Sequence, residues 1–77
     1  MISLEEFVKA FAAEFDETPE EMFTPETHFR ELEEWGSLVA LSVISMVDDN
    51  CDVVITGADI RSCITVKDLF RIVQSKI

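Results

Sequence analysis

The sequence predicts an all-α domain: a four-helix bundle of three main helices and one short helix, with a long connection between helices one and two. Three observations predict it. Apolar residues recur at helical spacing in three separate stretches of the 77-residue chain. Helix-start signals stand in front of the first and last of them. Only Asp52-Val53-Val54-Ile55-Thr56 reads as a strand, and no second run exists to pair with it. Two Gly and two Pro also argue against a loop-rich or sandwich design. At this length residues 1–77 form one domain. Folding then buries only roughly 60% of the surface that the unfolded chain exposes, which disfavours a large enclosed cavity.

The first helix is expected over residues 4–15. Ser3 and Glu6 make a capping-box pattern, and Ile2 with Phe7 makes the matching hydrophobic staple. Phe7, Phe11 and Phe15 then recur every four residues beside Leu4 and Val8. That spacing lays one apolar stripe along the helix, as a core face does.

Residues 16–36 form the long connection. Thr18-Pro19-Glu20-Glu21 reads as a brief helical start, with Thr as cap and Pro at the first position. Thr24-Pro25-Glu26 repeats the signal, so turns are expected here and not one continuous helix. Met22, Phe23, Phe29 and Leu32 are spaced apolar anchors that should pin the segment to the bundle.

The second helix is expected over 37–50. Ala40, Val43, Ile44 and Val47 follow the i, i+3, i+4, i+7 pattern of a buried face. Its other side carries Ser37, Leu38, Leu41, Ser42, Ser45 and Asp48 and is only partly polar. Residues 52–56 are then an extended connector. Thr56-Gly57-Ala58-Asp59 caps a short helix near 57–61 with Ile60 pointing inward. Thr65 and Asp68 resemble a capping box for the last helix, 66–76, with Ile64 and Leu69 as its staple. Val66, Leu69, Phe70, Val73 and Ile77 supply its apolar face.

The formal net charge is −10, from 6 basic and 16 acidic residues. Such acidity disfavours nucleic acid and anionic membrane surfaces, and basic partner proteins are the natural alternative. The hydrophobic content of 48% is too high for an acidic disordered tail. No apolar run reaches the roughly 20 residues that span a bilayer, and no signal-peptide pattern opens the chain. The expectation is a cytoplasmic monomer.

No catalytic set emerges. His28 stands alone in the connection, and nothing in the sequence brings it to a nucleophile. Asp48, Asn50 and Asp52 match the start of a calcium loop, but Val53 occupies the obligatory glycine position and Asp59 the terminal glutamate position. No metal site is expected. Cys51 and Cys63 read as small core hydrophobes. Glu31, Glu33 and Glu34 read as a solvated face. Ser37 opens the most apolar helix, where a serine is ordinarily a cap. It is also a candidate attachment point, because a phosphodiester there would face free backbone N–H groups and the positive end of the helix dipole.

Taken together, these segments resemble an acyl carrier protein over nearly the whole chain. The resemblance rests on Thr27-His28-Phe29-Arg30-Glu31-Leu32, on Trp35-Gly36-Ser37-Leu38, on Val53-Val54-Ile55 and on Ile64-Thr65-Val66-Lys67-Asp68-Leu69. The family's Asp-Ser-Leu motif is present here as Gly36-Ser37-Leu38, with Gly in place of Asp. The resemblance implies a carrier and not an enzyme. A phosphopantetheinyl transferase would attach 4'-phosphopantetheine to Ser37, and acyl-transferring or condensing enzymes would use the acyl thioester held on the arm. Phe7, Phe11, Val43, Val47 and Phe70 would line a shelter for the acyl chain. Family carriers of fatty acid synthesis bear acids early on helix two, where this chain has Val39 and Ser42. The resemblance therefore implies docking through Leu38, Val39, Leu41 and Ser42, with steering from Glu34 and its neighbours. The pathway would be fatty acid, polyketide or another specialised acyl pathway. A peptidyl or aminoacyl carrier, or an unmodified acidic interaction module, are the alternatives.

Overall fold

The computed structural model describes residues 2–77, and among them the regular secondary structure is entirely helical. The order is α1 (Leu4–Ala12), 3-10 turns at Glu20–Met22 and Phe29–Glu31, α2 (Ser37–Cys51), α3 (Gly57–Arg61) and α4 (Val66–Ser75). The expected small helical bundle is present, with α1 packed on α4 and α2, and α3 on α4.

Three of the four helix starts are sealed by reciprocal capping boxes: Ser3 with Glu6, Thr56 with Asp59, and Thr65 with Asp68. Each places a hydroxyl on an amide three residues ahead and a carboxylate back on the cap's own amide. Helix α1 stops at Ala12, three residues short of the predicted end. Glu14 and Phe15 instead close a turn onto the carbonyls of Phe11 and Ala12. Phe15 is nevertheless buried, because the turn carries its ring onto Phe11 and Phe23 at centroid separations of 5.5 and 4.8 Å.

Phe11 is the hub of the core. Its ring lies 5.2 Å from that of Phe29, 6.0 Å from Phe23 and 6.5 Å from Phe7. Val43, Met46 and Val47 of α2 and Val66, Leu69, Phe70 and Val73 of α4 complete it. Met46 joins the buried face of α2, while Ala40 and Ile44 are only half-buried. Phe7, Phe11, Val43, Val47 and Phe70, expected to line an acyl shelter, are all buried and belong to one packed cluster, with Phe7 and Phe70 at 5.2 Å. Val53 and Ile55 of the extended connector turn inward and Val54 outward.

The connection is ordered by polar contacts as much as by its anchors. Phe23 and Phe29 are buried as expected, whereas Met22 is 56% exposed. Thr18 does not cap the first turn. Its hydroxyl donates to Glu34 Oε1 at 2.8 Å, and Pro19 takes the cap position. The Glu34 carboxylate also accepts the amides of Asp16, Glu17 and Thr18 at 2.7–3.0 Å. Glu34 is thus a staple across the connection and not part of a freely solvated acidic face. At the other side, the carbonyls of Thr27 and Pro25 accept the Val66 and Lys67 amides that open α4.

These carboxylates make stability acid-sensitive. Backbone hydrogen bonds from Ser3, Thr56 and Thr65 hold Glu6, Asp59 and Asp68 below their ordinary values. For Glu34 partial burial pushes upward, but the Thr18 hydroxyl and the three amides outweigh it and the net shift is downward. A group depressed by folding stabilises above its unfolded pKa and loses that contribution as pH falls through the folded one. Thermal unfolding scans should therefore show a falling Tm below roughly pH 4. Glu34→Gln should lower Tm at neutral pH and flatten that decline, whereas Glu33→Gln should do neither.

Candidate functional site

The junction between the connection and α2 is held by aromatic packing. Trp35 meets the Phe29 ring edge-on at 5.0 Å and stacks on Phe15 at 6.3 Å. Its amide donates to the Leu32 carbonyl at 3.0 Å. These contacts fix the chain's direction into Gly36 and Ser37.

Gly36, and not Ser37, is the cap of α2. Its backbone is extended, a conformation any residue adopts, and a Cβ placed on it would meet nothing within 4 Å. The glycine is therefore not demanded by the fold. The first amide of α2 to find a helical partner is that of Ala40, which donates to the Gly36 carbonyl at 2.9 Å. Ser37 is the first helical residue. Its side chain is exposed and takes no part in capping. That is the correction to the cap reading: the extended residue is one position earlier, so the hydroxyl lies outside the capping geometry.

Ser37 borders a cleft of about 300 Å³ together with Arg30, Trp35, Gly36, Ala40, Gly57, Ile60 and Arg61. The cleft is assembled from the end of the connection, the first turn of α2 and α3. Arg30 is tied in place by its Nε, which donates to the Cys63 carbonyl at 2.9 Å. A larger cleft of about 500 Å³ lies between α1 and the connection, lined in part by Leu4, Val8, Phe23 and Pro25, and it does not include Ser37.

The outward side of α2 begins at the same point. Leu38 is 81% exposed and Leu41 62% exposed, while Val39 and Ser42 are half-buried. Leu38 and Leu41 are therefore an accessible apolar step on the helix that the serine opens. Glu34, grouped with them on sequence, is separated from that role by its four hydrogen bonds to residues 16–18.

The remaining reactive groups lie elsewhere. His28 Nδ1 is 3.1 Å from Glu31 Oε2 on the exposed face of the second 3-10 turn. Asp48 and Asn50 are inside α2, and the Asn50 amide donates to the Met46 carbonyl. Asp52 ends the helix in the left-handed region at φ 55°, which Asp tolerates better than most residues. The run resembling a calcium loop is thus a helix end. Cys51 and Cys63 are free thiols, and burial raises both pKa values. Cys63 is fully buried, consistent with a core role.

The residues that sequence reasoning missed are Arg30 and Arg61. Arg30 sits seven residues before Ser37 and Arg61 twenty-four after it, so only the docking of α3 and the connection against α2 brings them to one cleft. The fold and site define a small helical bundle with an exposed serine at the first position of its longest helix. No protein-family model, curated protein or solved structure matches this chain. Among the described residues, no helix is long and apolar enough to cross a membrane.

Proposed function

We propose that this chain is an acyl carrier protein, a non-enzymatic domain that carries 4'-phosphopantetheine on Ser37. The observation that supports this best is the state of Ser37: exposed, not engaged as a cap, at the start of α2 and on the rim of a cleft. The first-turn amides and the helix dipole favour a negative charge at that position. The residues present suit the group: the space around Gly36 is open, and two arginines line the cleft that Ser37 borders. When bound, the arm supplies a terminal thiol on which an acyl group is activated as a thioester.

The chain's own role is to present the serine to a phosphopantetheinyl transferase and then to acyl-transferring or condensing enzymes. Leu38 and Leu41, with Val39 and Ser42 beside them, form the contact surface for those partners. Incubation with coenzyme A and a broad-specificity transferase should raise the intact mass by one phosphopantetheine. Resistance to several transferases, including one from the same genome, would reject the carrier reading. Loading by amino-acid-activating enzymes in place of acyl-activating ones would assign the peptidyl carrier class. For the docking surface, Leu41→Ser should slow loading in a transferase titration through a higher KM, with Tm unchanged within about 2–4 °C because exposed positions change stability by only ~0.5 kcal/mol.

A further inference from the structure

We infer that Arg30 and Arg61 form a two-point clamp for the phosphodiester on Ser37. This rests on the carrier reading and adds to it the residues that hold the root of the arm. The chain has six basic residues against sixteen acidic ones, yet two of the six line a cleft that the serine borders. Among the described residues, neither arginine makes an ion pair; the ion pairs formed are His28 with Glu31 and Lys76 with Asp59. In a protein of net charge −10, two arginines without an acidic partner lining one small cleft favour an anion there.

Arg30 is also held by the fold, and Arg61 is left free to turn toward a ligand. The Nε of Arg30 donates to the Cys63 carbonyl at 2.9 Å, which fixes the plane of the guanidinium and leaves its outer nitrogens for another acceptor. Arg61 lies back over the start of its own helix, with Nη1 3.2 Å from the point where a Cβ on Gly57 would stand. A side chain at Gly57 would press on the Arg61 head group, which would have to give by a few tenths of an ångström. Gly36 contributes in the same sense, since it brings no carboxylate to compete for the pair. A phosphodiester presents two non-bridging oxygens that share one negative charge, and the planar fork of arginine matches that geometry with charge-assisted hydrogen bonds. The clamp would hold the root of the arm beside Trp35 and Ile60, while the far end remains free to reach a partner enzyme.

The test compares loaded wild type with loaded Arg61→Gln and Arg61→Lys proteins, each confirmed by intact mass. Arg61 is the position of choice because its guanidinium makes no hydrogen bond among the described residues, whereas Arg30→Gln would also break the bond to Cys63. The readouts are the phosphorus NMR shift of the phosphodiester and the exchange rate of the Arg61 Nε–H in unsubstituted protein. In low salt, loading should slow that exchange. The phosphorus signal of wild type should differ from that of a loaded serine peptide, move toward the peptide value in Arg61→Gln, and be partly restored in Arg61→Lys. High salt should shift the wild-type signal in the direction of Arg61→Gln. A loaded protein whose phosphorus signal equals the peptide's and ignores both substitutions overturns the clamp and leaves the carrier reading standing. A protein that no transferase loads overturns both.

Discussion

Ser37→Ala is expected to abolish phosphopantetheine loading completely while leaving the fold intact. The side chain is exposed and its hydroxyl caps nothing, so the substitution removes no interaction from the bundle. Alanine also has the higher intrinsic helix propensity, which places the expected stability change within ~0.5 kcal/mol of zero. Mass spectrometry after incubation with coenzyme A and transferase should give a single unshifted species for the variant and a shifted one for wild type. Matching circular dichroism and Tm would show that the loss is chemical. A shifted Ser37→Ala species would place the attachment elsewhere.

Phe11→Ala is expected to have the largest effect on stability. Its fully buried ring contacts Phe7, Phe15, Phe23 and Phe29, so one deletion opens a cavity shared by α1 and the connection. Removing a buried phenyl ring costs about 3–5 kcal/mol. At the usual 0.05–0.15 kcal/mol per residue, a chain of this length has only about 4–12 kcal/mol of total stability. Urea unfolding should therefore show a midpoint shifted far down, with a substantial unfolded fraction in water. The effect should also reach the site, because Phe29 and Phe15 are the surfaces on which Trp35 rests. Any folded fraction should load more slowly, with Trp35 emission displaced toward longer wavelength. Full retention of both stability and loading would refute the view of Phe11 as the hub of the core.

The helices were legible because local rules and burial agree over them. The Ser3–Glu6, Thr56–Asp59 and Thr65–Asp68 boxes are written within four residues, and each forms as written. The α3 bounds match the expectation, and α2 and α4 differ by one residue each. The polar contacts of the connection were not legible. Thr18 followed by Pro19 and Glu20 has the local signature of a helix cap, yet its hydroxyl is taken by Glu34, sixteen residues away. One carboxylate that gathers three amides and a hydroxyl outcompetes a three-residue turn that would gain a single bond. Ser37 was legible as a candidate but not in its role relative to the cap, since Gly36 and Ser37 are both adequate cap residues.

The sequence by itself determined the class of fold, the starts of the four α-helices, most of the aromatic core and the candidacy of one serine beside an apolar helix face. These follow from periodicities and caps whose energies are set by neighbours within a turn or two. The tertiary structure decided the rest: that Glu34 is a staple, that Met22 stays outside, and that Arg30 and Arg61 share a cleft with Ser37. Those facts depend on the packing of segments far apart in the chain, and no local rule carries that information. A guanidinium or a carboxylate acquires its role from the charge and the vacant donors or acceptors that folding brings within about 3 Å of it.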